Sequence, residues 1–227
     1  MKHGPPAPPA AAGLFGERLE LARRYADLLA DAGVERGLLG PREVDRLWER
    51  HILNCAAVVE LLGQGWYVVD IGSGAGLPGI PVAIARPDLT VTLVEPLLRR
   101  ADFLNEAVAT LGIEARVLRG RAEDPDIRNR AGGADAVLSR AVAGLDKLAR
   151  WSLPLLKGGG VMLALKGERA EAEISESIGG MTALGATDIR AVRCGSGREY
   201  PATTVVTATR GDRPDPRRRG RPERSRR

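Results

Sequence analysis

The sequence predicts an α/β fold: a doubly wound, mostly parallel sheet of seven strands, preceded by a helical extension. Three observations carry this. Between residues 66 and 166, short apolar runs rich in β-branched residues alternate with helical stretches, the pattern that right-handed crossovers between parallel strands require. The first of those runs leads directly into Gly72, Gly74 and Gly76 and then a helix, a Rossmann-like cradle at the carboxyl end of a strand. After residue 180 the pattern changes to two strands, 187–193 and 203–209, joined by a loop containing Gly195, Gly197 and Pro201, which reads as a hairpin-like pair at one sheet edge.

Composition sets the bounds. The chain has 227 residues, 44% of them hydrophobic and 28% charged, enough for one well-buried domain with appendages. No apolar run approaches the roughly 20 residues of a membrane span, and the first residues lack the charged-then-apolar pattern of a secretory leader. Cys55 and Cys194 fall in different elements, so neither a disulfide framework nor a metal cluster is expected. A reducing, cytoplasmic setting fits. The net charge of +5 is a property of one segment: residues 210–227 hold nine arginines and three acids, a net of +6, which leaves the rest of the chain at −1.

The elements follow in order. Residues 1–12 are Pro/Ala-rich and read as disordered. Residues 13–65 form the helical extension. Leu14, Phe15, Leu19, Ala22, Tyr25, Leu28 and Leu29 have helical spacing, and Gly33 is a stop. A second helix opens at Pro41 and carries Val44, Leu47, Trp48, His51, Ile52, Cys55, Val58, Val59 and Leu62 on its apolar stripe. The main domain occupies 66–209, with strands at 66–71, 90–95, 114–119, 134–139 and 160–166. Helices are expected at 79–86, 98–111, 144–156 and 168–179, with a short turn or helix near 124–130. Residues 210–227 are read as a disordered basic tail.

The glycine turn identifies the ligand class. A dinucleotide fingerprint, G-x-G-x-x-G, would need a third glycine where Leu77 stands. Here the spacing is G-x-G-x-G, with Asp70 two residues ahead of it. A carboxylate there suits a ligand with an ammonium group better than a pyrophosphate, and such a ligand is S-adenosylmethionine (SAM). Glu95 ends the next strand, where an acid can hold a ribose. An NAD-dependent oxidoreductase would also carry an acid there, so Glu95 alone does not discriminate. A non-enzymatic RNA-binding module has no need of an acid–glycine–acid constellation.

The glycine motif resembles that of class I SAM-dependent methyltransferases. The run Leu47-Trp48-Glu49-Arg50-His51-Ile52-Leu53-Asn54, the run Asp70-Ile71-Gly72-Ser73-Gly74-Ala75-Gly76-Leu77-Pro78-Gly79, then Arg121-Ala122-Glu123, Ser139-Arg140-Ala141 and Leu165-Lys166-Gly167 occur in one order. In that order they resemble the 16S ribosomal RNA (guanine-N7) methyltransferase family RsmG, also called GidB, over residues 14–209. The resemblance implies SAM contacts at Gly72, Leu77, Ala122, Glu123 and Arg140, with Asp70, Gly74, Gly76 and Glu95 matching the wider class. It implies methylation of guanine N7 at position 527 of 16S rRNA, near the decoding centre, with streptomycin response as readout. Its partner is 16S rRNA or the small ribosomal subunit, acted on by a monomer without metal or membrane. Many members have Asp-Ser where this chain has Asn54-Cys55, so no role is carried over for that carboxylate.

Four residues are candidates for the catalytic side. Guanine N7 has an in-plane lone pair and no proton to lose, so no general base is required and orientation dominates. Arg140 and Lys166 end adjacent strands at the edge where ligands gather. Each could instead serve a surface ion pair. His51 lies on an apolar stripe, which fits a hydrogen-bonded core histidine as well as a functional one. Arg50 projects off that stripe, toward RNA or solvent. Arg99 and Arg100 open a helix, opposing its dipole and hinting at an anionic partner. Ser139-Arg140-Ala141 stands where amino-methylating enzymes carry an Asn-Pro-Pro-Tyr-like motif. That is compatible with N7 chemistry but leaves a small-molecule or other RNA substrate open.

Overall fold

The computed structural model describes residues 3–197, 200 and 202–211. Its seven strands are β1 (Tyr67–Ile71), β2 (Thr90–Glu95), β3 (Ala115–Arg119), β4 (Ala134–Arg140), β5 (Leu156–Lys166), β6 (Ala186–Cys194) and β7 (Thr203–Arg210). They form one sheet in the order β3-β2-β1-β4-β5-β7-β6. β1 pairs in parallel with both β2 and β4, and β7 runs antiparallel between β5 and β6. The crossovers leave β1 in opposite directions, so a crevice opens beyond the carboxyl ends of β1 and β4. The expected edge pair is present, with β7 inserted on the inner side. β5 begins at Leu156 rather than at 160, because Leu156 pairs with Ala134 across a register irregularity.

Strand alternation sorts the side chains onto two faces. Val68, Leu93, Ala136, Leu138, Leu163 and Leu165 enter one core with Ile80 of α4 (Gly79–Ala85) and Phe103 and Leu104 of α5 (Leu98–Leu111). Val69, Ile71, Val94, Val137, Met162 and Ala164 enter the other. There they meet α6 (Pro125–Ala131), α7 (Leu145–Ser152) and α8 (Ala170–Ala183). The helical extension joins the first core through Phe15, Tyr25, Leu29, Trp48, Ile52 and Cys55.

The extension is wound unevenly. α1 (Pro9–Phe15) and α2 (Leu19–Leu28) are separated by a 3₁₀ turn, and a π turn, Leu29–Gly33, follows. The second run opens as a 3₁₀ turn, Pro41–Arg46, widens into a π turn, Leu47–Leu53, and closes through α3 (Asn54–Ala56) and a 3₁₀ turn, Ala57–Leu61. Such π turns occur disproportionately at functional sites.

The disorder expected for residues 1–12 does not hold over residues 3–12. Pro9 opens α1 where a missing N–H costs least, and Ala11 is fully buried. The Gly4 N–H donates to Asp27 Oδ1 at 2.7 Å, and Trp48 Nε1–H donates to the Pro5 carbonyl at 2.9 Å. Alanine-rich sequence is also the best helix former, a preference that its low complexity masks. The expectation for the basic tail lies outside the described residues from 212 onward, and Met1 and Lys2 lie outside them too.

One side chain of the extension reaches the glycine turn. Tyr25 is fully buried and its hydroxyl donates to the Ala75 carbonyl at 2.8 Å. Gly76 makes room for it: a Cβ there would lie 3.2 Å from the Tyr25 hydroxyl and 2.4 Å from Ile80 Cδ1. Tyr25→Phe keeps the ring but leaves the Ala75 carbonyl without its donor. The substitution should lower stability by roughly 1–3 kcal/mol, the cost of an unsatisfied buried acceptor. Urea unfolding at neutral pH checks this, and a variant as stable as the parent would remove Tyr25 from the support of the turn.

Candidate functional site

The turn after β1 is built on left-handed backbone. Gly72 and Gly74 have φ of +67° and +57°, values that favour glycine. The Gly72 and Ser73 N–H groups donate to the Val94 carbonyl at 2.8 and 3.2 Å, tying the turn to β2. Glu95 completes the tie. Its Oε2 accepts the Gly74 N–H at 2.9 Å and its Oε1 accepts the Leu97 N–H at 3.0 Å. Each carboxylate oxygen retains capacity for a further donor.

Asp70 has a different place from the one its sequence position promised. It shares the parity of Val68, so it points into the face that carries α4. Its Oδ2 accepts the Gly79 N–H at 3.0 Å, at the start of α4, and Ser73 Oγ donates to its backbone carbonyl at 2.9 Å. The carboxyl is fully buried, and Oδ1 has no hydrogen-bond partner among the described residues. Burial pushes its pKa up from 3.8 to about 7, against the opposing hydrogen bonds. Asp70 therefore supports the turn from below and does not line the cavity above it. Gly76 likewise stays out of the cavity, packed against Tyr25 and Ile80.

Three concavities meet over the carboxyl edge. A trough of about 500 Å³ is lined by Gly72, Gly74, Leu77, Glu95, His51 and Arg140 among others. A slot of about 70 Å³ adjoins it, sharing Gly72, Pro96 and Val142 and adding Ala122 and Glu123. A second large cavity, about 620 Å³, is lined by Arg46, Arg50, Asn54, Lys166 and Glu173. Arg140 and Ala141 line both large cavities and so form the wall between them. Ala141 has φ of +52°, a strained value for a non-glycine residue.

Arg140 is held by the extension. Its Nη1 donates to Cys55 Sγ at 2.8 Å, and its Nη2 donates to the Arg50 carbonyl at 3.3 Å and to His51 Nδ1 at 2.7 Å. A guanidinium only donates, so His51 Nδ1 accepts and the ring proton sits on Nε2. That proton is donated to Glu43 Oε2 at 2.9 Å. Burial lowers the His51 pKa, and the Arg140 charge lowers it further, which keeps the imidazole neutral. The hydrogen bond from His51 holds the Glu43 carboxyl below its usual range. Burial pushes the Cys55 thiol up to about 11, so it meets Arg140 as a neutral thiol.

The other candidates divide. Lys166 lines the larger cavity, but its ammonium is committed: it donates to Glu173 Oε2 at 2.7 Å and to the Ala143 carbonyl at 2.9 Å. Arg50 Nε lies 3.4 Å from Glu43 Oε2, and its side chain is 52% exposed. Arg100 lines the trough, whereas Arg99 donates to the Arg36 carbonyl. Sequence reasoning missed Glu43, Tyr25 and the polar role of Cys55. Glu43 had one available signal, a carboxylate two helical turns ahead of a histidine on the apolar stripe.

The family model for GidB, "rRNA small subunit methyltransferase G", matches residues 18–200. This chain belongs to the GidB family. It is 62% identical over 220 residues to "Ribosomal RNA small subunit methyltransferase G" of Mycobacterium marinum, covering 97% of this chain and 96% of that one. The protein of the same description from Mycolicibacterium smegmatis is 60% identical, covering 100% and 97%. Among solved structures, a methyltransferase from Pyrococcus furiosus superposes with a TM-score of 0.54 at 14% identity, covering 68% of this chain and 80% of that one. The structure described as "M. jannaschii TYW2 in complex with AdoMet" gives 0.53 at 18% identity, covering 70% and 74%. At these identities the superpositions show a shared fold.

The Asp70 environment sets a pH dependence that can be tested without substrate. Its carboxyl has a raised pKa in the folded state, so between 3.8 and about 7 the folded protein keeps a proton that the unfolded chain has released. That stabilisation is complete below 3.8 and is lost as pH rises through about 7. Asp70→Asn removes the titration while keeping an acceptor for Gly79. The melting temperature of Asp70→Asn relative to the parent should rise between about pH 4 and about pH 7 and level off above that. A difference that stays constant or shrinks over that range would contradict a buried carboxyl forced to ionise.

Proposed function

We propose that this chain methylates N7 of a single guanine in 16S rRNA, the nucleotide at position 527, with its donor in the glycine-walled trough and the base in the adjoining cavity. Membership of the GidB family carries the coarser part: the chain is a SAM-dependent rRNA methyltransferase. The finer part rests on one observation, that two large cavities share Arg140 and Ala141 as a common wall.

The trough fits SAM by its size and chemistry. Its volume of about 500 Å³ lies in the range of small-ligand sites. Gly74 has open space where a Cβ would be, with only the Gly72 carbonyl within 4 Å. Glu95 would hold the ribose hydroxyls with its remaining acceptor capacity. Ala122 and Glu123 would flank the adenine from the adjoining slot, and Leu77 would provide an apolar side. When bound, SAM supplies a methyl group on an electrophilic sulfonium.

The residues around the second cavity have a positioning task rather than proton transfer. Guanine N7 attacks with a free lone pair, and nothing need be deprotonated. Correspondingly, His51 is engaged on both nitrogens, and Lys166 is paired. Arg140 would orient the base or its O6 edge while leaving N7 free. Arg46 and Arg50 offer charge to the phosphates around the target nucleotide. Loop nucleotides suit this arrangement, because the deep, narrow major groove of duplex RNA hides base edges. The chain would act as a monomer in the cytoplasm, where its RNA is found.

The test is to incubate the protein and SAM with small ribosomal subunits, and separately with naked 16S rRNA, from a strain lacking this gene. The RNA is then digested and the modified nucleotide mapped. 7-Methylguanosine at position 527 is expected, with an altered streptomycin response in the deletion strain. A mark on another nucleotide or another base atom would overturn the assignment.

A further inference from the structure

The opposite end of the sheet carries a basic concavity that the proposed reaction does not use. It has a volume of about 310 Å³ and is bounded by Arg128 of α6, Arg150 of α7, Leu153, Gly185, Arg210 and Gly211. Among the described residues, no acidic residue lines it. The Arg210 guanidinium donates to the Leu156 carbonyl, which anchors it at the start of β5. The Arg128 and Arg150 side chains have no hydrogen bond or ion pair among the described residues. Both stand in the last turn of their helices, where a cation complements the helix dipole. That accounts for each arginine alone. It does not account for the convergence of three cations on one concavity with no carboxylate among the described residues to offset their repulsion.

Distance from the methylation site decides what such a surface can serve. β5 runs from Leu156, beside this concavity, to Lys166, which lines the larger cavity at the carboxyl edge. Leu156 pairs with Ala134 and Leu165 with Arg140, so the register irregularity shortens the span to six steps of β4 at about 3.3 Å each, and the two sites lie roughly 20 Å apart. A single target nucleotide cannot reach both. The chain also continues from Gly211 into residues 212–227, which add eight arginines against three acids.

We infer that the Arg128–Arg150–Arg210 concavity binds the phosphate backbone of a second segment of the substrate rRNA, about 20 Å from the methylated loop. Planar guanidinium groups match phosphate oxygens in a bidentate way, and an exposed cluster of them without acids is an anion site of that chemistry. Phosphate contacts add affinity and register without reading sequence, so this surface selects a large folded RNA over a short one. The inference rests on the RNA reading above.

The experiment compares the parent protein with Arg128→Gln/Arg150→Gln and Arg128→Glu/Arg150→Glu. Each is titrated with transcribed 16S rRNA, and with a hairpin that carries only the target loop and a few base pairs, across a potassium chloride series. With 16S rRNA the Gln pair should flatten the log–log salt dependence by about 0.7–0.9 per lost contact, and the Glu pair should weaken binding further. Hairpin affinity, SAM affinity and melting temperature should not change. An unchanged rRNA affinity in both variants would overturn the inference and leave an acidic protein as the partner. An equal loss on the hairpin would overturn it as well, since the contact would then belong to the target loop. A parent protein that binds neither RNA would overturn the RNA reading together with this one.

Discussion

The contacts of Arg140 with the helical extension are the constraint on which the rest of the site depends. A guanidinium at the end of β4 must be satisfied by donors' partners wherever it points. Its strand parity, shared with Ala136 and Leu138, turns it toward the extension. There Cys55, the Arg50 carbonyl and His51 accept its hydrogen bonds. These partners belong to one turn wound as a π helix and its continuation, so the unusual winding and the arginine support each other. Glu43 closes the chain of contacts at the surface and fixes the histidine tautomer. The result is a single rigid wall with a cavity on either side.

Two acids on neighbouring strands divide the work beneath that wall. Glu95 faces the trough and ties down the turn through two backbone N–H groups. Asp70 faces the helix side, takes the Gly79 N–H, and is fully buried. Tyr25 holds the same turn from the extension. The glycines are therefore fixed from three directions. This is the preorganisation that a reaction governed by orientation requires.

The strands were legible because the central ones are buried on both faces and so read as short, β-branched apolar runs between helical stretches. 90–95 was read with the bounds that the structure gives, and 66–71, 134–139 and 203–209 lie within a residue of theirs. Gly74, Glu95 and Arg140 were legible because strand ends converge on one edge, whereas Ala122 followed only from the family resemblance. The motif position of Asp70 did not give its orientation, which its parity with Val68 assigns to the helix face. The order of residues 3–12 was illegible because composition reports disorder and cannot report the backbone partners that Asp27 and Trp48 provide. Lys166 was legible as a strand end, but its pairing with Glu173 and that of Glu43 with His51 depend on how the intervening turns are wound, which spacing alone does not give.

The central claim is that Arg140 acts in methyl transfer through an orientation set by His51 and Glu43. Single-turnover methyl-transfer rates at saturating SAM and 16S rRNA, measured for Arg140→Lys, Glu43→Gln and the double variant, test it most directly. Arg140→Lys keeps the charge but loses the planar group, and its rate should fall at least about tenfold, the equivalent of roughly 1.4 kcal/mol. Glu43→Gln should slow the parent as well, yet add little to Arg140→Lys, because both changes break one chain of contacts. Additive losses, or a rate loss that only follows a fall in melting temperature, would contradict the account.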